Sequence, residues 1–161
     1  MQADHVPTVL YPGTFDPFHI GHLDVILRCI KHFKVIVGVY DAKAGVSLEK
    51  RVDVIKQSCQ SLPVQVVSYQ GLLVNCAKEH NVSFCVRGVR NTNDWHYEQG
   101  LAAMNRQLAD EFETLFIATD PSLSMLSSSW LRDILKHSGD IQPWVPGPVY
   151  HQIKSMQAYV S

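Results

Sequence analysis

Tyr11-Pro-Gly-Thr-Phe-Asp-Pro-Phe-His-Ile-Gly-His22 is the stretch that decides the fold of this chain. An apolar run before it, Val6, Val9 and Leu10, reads as a short buried strand. After it, Leu23, Ile26, Leu27, Ile30 and Phe33 recur at three-and-four spacing, which predicts a helix with one apolar stripe. The stretch is therefore a strand-to-helix turn, the place where α/β folds bind phosphate. Gly13 is expected to free the backbone for a sharp turn, with Pro12 and Pro17 fixing φ on either side. Gly21 is expected to leave room for a ligand near the backbone. His19 and His22, three apart, share one face of the first helical turn. With the unpaired N–H groups and partial positive charge of a helix start, they make a site for a phosphate chain.

Outward from that turn, the pattern alternates. Val35 to Tyr40 is a nearly continuous apolar run, as in a strand covered on both faces. Residues 41–46 form a small polar loop holding Lys43 and Gly45, and Ser47 is expected to cap a helix with Leu48, Val52, Ile55 and Cys59 inside. Val64 to Val67 begins a third strand, and Gly71 leads to a short helix with Leu72, Leu73, Cys76 and Ala77. Val82 to Val86 is a fourth strand running into Arg87-Gly-Val-Arg90. A long helix over Asn93 to Leu108 is expected to put Tyr97, Leu101, Met104 and Leu108 on one face. Leu115 to Ala118 is a fifth strand. Ser127-Ser-Ser129 opens a helix with Trp130, Leu131, Ile134 and Leu135 inside, ended by His137-Ser-Gly-Asp140 with Gly139 as a left-handed cap. Pro146 to Tyr159 reads as a last amphipathic helix. The fold class is α/β: one Rossmann-like domain over residues 1–161, a five-stranded parallel sheet with helices on both faces.

Bulk properties narrow the function. The chain has 161 residues, 46% hydrophobic and 18% charged, an ordinary globular balance. A net charge of −1 argues against a general nucleic-acid binder. No apolar stretch is long enough for a membrane span, and Met1 to His5 lacks the basic-then-apolar layout of a signal peptide. Cys29, Cys59, Cys76 and Cys85 are scattered, which suits buried reduced thiols and a cytoplasmic chain. Trp95, Trp130 and Trp144 read as core or subunit-contact residues.

Four groups point at phosphate, all at the carboxyl ends of strands where such sheets bind ligands. They are His19 and His22 with the backbone of Thr14 and Phe15, then Lys43, then Arg87 and Arg90 flanking Gly88, and finally the serine run at a helix start. No serine or cysteine has a convincing base partner, so covalent catalysis has little support. Zinc would need a third ligand beside His19 and His22, and none stands at suitable spacing. The cationic inventory suits phosphoryl or nucleotidyl transfer.

Tyr-Pro-Gly-Thr-Phe-Asp-Pro followed by Gly-His resembles the nucleotidylyltransferase superfamily. Arg87-Gly-Val-Arg90, Asp94, Tyr97-Glu98, Met104-Asn-Arg106, Ser127-Ser-Ser129 and His137-x-Gly-Asp140 resemble, in order, the bacterial phosphopantetheine adenylyltransferase family. The resemblance implies transfer of AMP from ATP to 4′-phosphopantetheine with Mg²⁺, in coenzyme A synthesis. It implies that His22 stabilises the transferring α-phosphate and that Thr14 lies between ATP and acceptor. Phe15, Gly88, Val89, Arg90, Glu98 and Leu123, Ser124, Met125, Leu126, Ser127, Ser128 and Ser129 would line the ATP site. Lys43, Leu73 and Arg87 would hold the phosphopantetheine end, with Lys43 also catalytic. It also implies a homohexamer. The chain departs from the family in the loop after the second strand, which is shorter, carries only Lys43, and has Val46 where an aromatic usually stands. Gly71 likewise replaces a polar residue.

Related readings are a nucleotidylyltransferase acting on nicotinamide mononucleotide or, with CTP, on glycerol phosphate, and a nucleotide-binding regulatory module without catalysis. An aminoacyl-tRNA synthetase shares the His-Ile-Gly-His turn but needs an anticodon domain that 161 residues do not accommodate.

Overall fold

A computed structural model of the protein describes residues 6–156 and Tyr159. The N-terminal residues 1–5 and positions 157–158 of the expected last helix lie outside the described residues. Five parallel strands, β1 (Thr8–Gly13), β2 (Lys34–Tyr40), β3 (Val64–Tyr69), β4 (Phe84–Val89) and β5 (Glu113–Ala118), form one sheet in the order β3-β2-β1-β4-β5. Between and after them run α1 (Ile20–Cys29), α2 (Leu48–Ser58), α3 (Leu73–Glu79), α4 (Thr92–Leu108), α5 (Ser128–Lys136) and α6 (Gly147–Met156). The strands and the α/β class follow the expectation.

The central strands are apolar along most of their length because helices cover both faces. On one face Val9, Val35, Val37 and Val39 pack with Ile26, Ile55, Leu131 and Ile153 from α1, α2, α5 and α6. On the other, Leu10, Ile36 and Cys85 pack with Val74, Cys76 and Ala77 of α3 and with Phe112. All four cysteines are buried free thiols.

The strand order reverses at β1, and there the sheet opens. β1 pairs with β2 over six residue pairs, Thr8 to Gly13, but with β4 only at Leu10 and Cys85. The carboxyl ends of β1 and β4 therefore diverge and leave a crevice between them, where doubly wound sheets hold ligands.

Several local expectations are corrected. β4 continues to Val89, so Arg87 and Gly88 belong to the strand instead of following it. Ser47 precedes α2 without a side-chain bond to its backbone. Ser138, at φ 59°, takes the left-handed position after α5, whereas Gly139 is needed for space, since a Cβ would meet Ile134 Cγ2 at 2.5 Å. Trp130 is exposed and packs edge-on against Trp144. The stripe expected on α4 is the largest departure: Tyr97, Met104 and Leu108 are 66%, 59% and 51% exposed. Spacing finds the stripe but does not say what covers it.

Candidate active site

The β1–α1 turn is built around two aromatic rings. Phe15 takes the left-handed conformation at φ 53°, unusual for a bulky side chain. Its buried ring folds back beneath Gly13, where a Cβ would meet it at 2.8 Å. Gly13 thus provides space for Phe15, and the turn itself is made at Phe15, contrary to expectation. Gly21 has a similar role, because a Cβ there would meet the His19 ring at 3.0 Å.

His19 is the N-cap of α1. Its Nδ1 accepts from the backbone N–H of Gly21 at 3.1 Å and of His22 at 3.4 Å. In return the His19 N–H donates to His22 Nδ1 at 3.2 Å. This reciprocal capping box joins two imidazoles whose rings stack at 3.6 Å. A nitrogen that accepts from N–H carries no proton, so both neutral rings hold their proton on Nε2. Burial lowers the His19 pKa to about 3, with Arg90 adding to the effect. Burial, then His19, Arg90 and Arg87, hold His22 well below the usual histidine value. Phe15 meets the His22 ring edge-on at 4.9 Å, and Phe18 lies near-parallel to it at 5.6 Å. His22 is thus fixed, neutral, and has an Nε2–H without a protein acceptor among the described residues.

A cavity of about 790 Å³ opens at this turn, lined by Thr14, Phe15, His19, His22, Lys43, Arg87, Gly88, Arg90, Glu98, Leu123, Leu126, Ser127 and Ser128 among others. These sequence-expected residues converge there from the β1–α1 turn, α1, the β2–α2 loop, the end of β4, α4 and the segment leading into α5. Val89, Ser124, Met125 and Ser129 do not line it, and Met125 is 84% exposed. Leu73 lines a neighbouring cavity of about 280 Å³ with Tyr40, Tyr69, Leu101 and Met104. Pro12, Arg87 and Glu98 line both, so one ion pair stands at their junction.

The two expected arginine clamps are already engaged. Arg87 donates through Nε and Nη2 to Glu98 at 2.7 and 2.6 Å, and through Nη1 to the Pro12 carbonyl at 2.8 Å. Arg90 grips Asp94 in the same two-pronged way and donates to the Leu126 carbonyl at 2.8 Å. They brace β4 against the β1 turn and against the segment before α5. Ser127 caps α5 through the Trp130 N–H, and Ser128 donates to the Pro17 carbonyl.

Two further arginines escape the sequence reading. Arg51 of α2, 2% exposed, donates to the carbonyls of Val46, Thr14, Tyr40 and Ala42 at 3.0, 2.7, 2.9 and 3.3 Å. It ties the β1 turn, the end of β2 and the Lys43 loop together. Arg132 of α5 lines the cavity and donates to the Asp16 carbonyl at 2.6 Å. Neither has a carboxylate within ion-pair distance among the described residues, and neither does the exposed Lys43. With Arg87 and Arg90 neutralised by their partners, these three cations give the cavity its attraction for anions. A signal for Arg51 existed: an arginine among the apolar positions of an amphipathic helix is buried only when something accepts its protons.

No three His, Cys, Asp or Glu side chains converge to hold a metal ion among the described residues. A divalent cation at this site would have to be held by substrate phosphate oxygens and water, as Mg²⁺ commonly is beside a nucleotide.

Known proteins bear out the pattern. The cytidylyltransferase-like family model matches residues 10–134. A phosphopantetheine adenylyltransferase of Haemophilus influenzae (strain 86-028NP) is 42% identical over 153 residues, 92% of this chain and 98% of that protein. One from Prochlorococcus marinus subsp. pastoris is 41% identical over 152 residues, 91% and 96% of the two chains. In three dimensions, a Vibrio parahaemolyticus protein classed as a nicotinate-nucleotide adenylyltransferase superposes with a TM-score of 0.71 over 95% of this chain and 94% of its own. At 15% identity, that likeness speaks for the fold alone.

Proposed function

We propose, from the premise that the chain belongs to the cytidylyltransferase-like family and to its phosphopantetheine adenylyltransferase branch, that it transfers AMP from ATP to 4′-phosphopantetheine. The products are dephospho-coenzyme A and pyrophosphate. The enzyme is a nucleotidyltransferase of coenzyme A biosynthesis. An acceptor phosphate oxygen attacks the α-phosphorus of MgATP, the bond to the bridging oxygen of the β-phosphate breaks, and pyrophosphate leaves with that electron pair. The nucleophile is already an anion, so no general base is required.

The observation that carries this reading is the fixed, neutral His22 at the sheet's switch point. Its Nε2–H is a donor held ready for a nonbridging oxygen of the α-phosphate, where charge builds as the new bond forms. Being preorganised, it needs little rearrangement at the moment of reaction. Lys43 adds a mobile point charge for the same oxygens or for the acceptor phosphate. When bound with ATP, Mg²⁺ would supply charge screening of the triphosphate and of the leaving pyrophosphate. Thr14 sits between the reacting phosphates. The nucleotide lies against Phe15, Gly88, Arg90, Glu98, Leu123, Leu126, Ser127 and Ser128. Arg87 orients the acceptor at the cavity junction, and its arm runs toward Leu73.

The protein works in the cytoplasm as a homo-oligomer, a hexamer by likeness to its family. The exposed apolar residues of α4 support assembly with further copies of the chain. No helix among the described residues is long and apolar enough to cross a membrane.

The test is pyrophosphate release from MgATP with 4′-phosphopantetheine, nicotinamide mononucleotide or, with CTP, glycerol 3-phosphate in parallel. Release with phosphopantetheine alone, and a product of dephospho-coenzyme A mass, is expected. Release only with another acceptor would overturn the acceptor assignment while keeping the chemistry.

A further inference from the structure

The Lys43 loop, residues 41–46, has neither helix nor strand to support it. Arg51 holds it at Ala42 and Val46, one on each side of the lysine. Gly45, beside the lysine's segment, is held differently. Its N–H donates to Asp16 Oδ2 at 2.8 Å, and Asp16 Oδ1 accepts from the hydroxyl of Tyr159, which lies 143 positions away in sequence. The Tyr159 ring covers Gly45 so closely that a Cβ at that position would run into it. Tyr159, Gly45, Lys43, Asp16 and Arg132 all line the same cavity.

From this juxtaposition we infer that Tyr159 is a positioning residue for AMP transfer, its ring on Gly45 and its hydroxyl on Asp16 fixing the Lys43 loop beside the phosphate site. Two physical effects follow. First, the ring packs over Gly45 and gives the loop an aromatic partner that residues 41–46, which hold no aromatic side chain, do not supply themselves. A loop ordered before substrate arrives does not have to be ordered in the transition state. Second, Asp16 is a buried carboxylate in the wall of a cavity that takes phosphates. With both oxygens engaged by donors, its negative charge is partly offset beside those anions. The phenol donates because burial, and then the bond to Asp16, hold its pKa above the usual tyrosine value.

The kinetic part of this inference rests on the reaction proposed above; the loop contact does not. Both are read in one experiment on the full chain and its Tyr159→Phe and Tyr159→Ala variants. Trypsin cleaves after exposed Lys43, with exposed Lys136 on α5 as an internal reference for global unfolding. In Tyr159→Ala, cleavage after Lys43 is expected to accelerate about tenfold while cleavage after Lys136 is unchanged, and Tyr159→Phe falls between. Turnover in Tyr159→Ala is expected to drop about tenfold with acceptor KM within about twofold, and in a Lys43→Ala background the tyrosine substitution adds less than about twofold. Unchanged cleavage after Lys43 in Tyr159→Ala overturns the loop contact. Full additivity of the Lys43 and Tyr159 substitutions overturns the positioning role. Faster cleavage after Lys43 in a protein whose wild type makes no dephospho-coenzyme A supports the contact and overturns the reaction reading alone.

Discussion

His19 and His22 cap each other: the N–H of His19 donates to Nδ1 of His22, and the N–H of His22 donates to Nδ1 of His19. The exchange dictates the tautomer of both rings, and burial keeps them uncharged. Ring resonances followed by NMR check this directly. Of the eight histidines in the chain, two are expected to keep neutral shifts of the Nε2–H tautomer at about pH 5, well below the usual midpoint of about 6.5. His22 titrating near that usual midpoint would contradict the assignment.

The same depression has a sign for stability. His19 binds a proton near its ordinary value when unfolded and only near about 3 when folded. Its contribution is complete above about pH 6.5 and is lost as pH falls toward 3, amounting to about 2 kcal/mol by about pH 5. Denaturant midpoints should therefore fall between pH 7 and 5. His19→Asn, which can still cap α1, should flatten that slope. An unchanged slope in the variant would remove His19 as its source.

Arg87 and Glu98 form a two-pronged pair with side chains 26% and 10% exposed. Removing only the arginine leaves a buried carboxylate unpaired. Arg87→Met should cost about 3 kcal/mol and raise acceptor KM. Arg87→Met combined with Glu98→Leu should recover most of the stability but not the acceptor KM. Full recovery of both would make the pair purely structural.

Arg51 satisfies four carbonyls from three segments. Arg51→Met should destabilise the fold by about 3 kcal/mol, since buried acceptors lose their donors. Lysine, a single point donor, should restore little. Urea denaturation of the two variants measures both. A midpoint shift of a few tenths of a kcal/mol would contradict the bracing role.

The fold was legible because β1, β2 and β4 are apolar runs separated by helical periodicity, and the candidate site because its phosphate-directed groups stand at or just beyond the carboxyl ends of strands. What escaped depends on neighbours that a pattern cannot show. Gly13 and Gly21 mark close approaches, and their reasons, the rings of Phe15 and His19, lie within two residues yet depend on side-chain direction. Arg87 and Arg90 read as free cations because their partners Glu98 and Asp94 stand on the following helix, and spacing alone does not show that those side chains turn back to meet them. Tyr159 reaches the site from the far end of the chain, a contact no local window contains. The exposed apolar residues of α4 satisfy helical periodicity equally well whether they face the sheet or another molecule.

The central claim is that a neutral His22 stabilises the α-phosphate only as charge builds on it. The most direct measurement pairs kcat of His22→Ala with its ATP dissociation constant from calorimetry. The account predicts turnover reduced by about a hundredfold or more with ATP affinity nearly unchanged. Near-normal turnover, or a loss explained by weaker ATP binding, would contradict it.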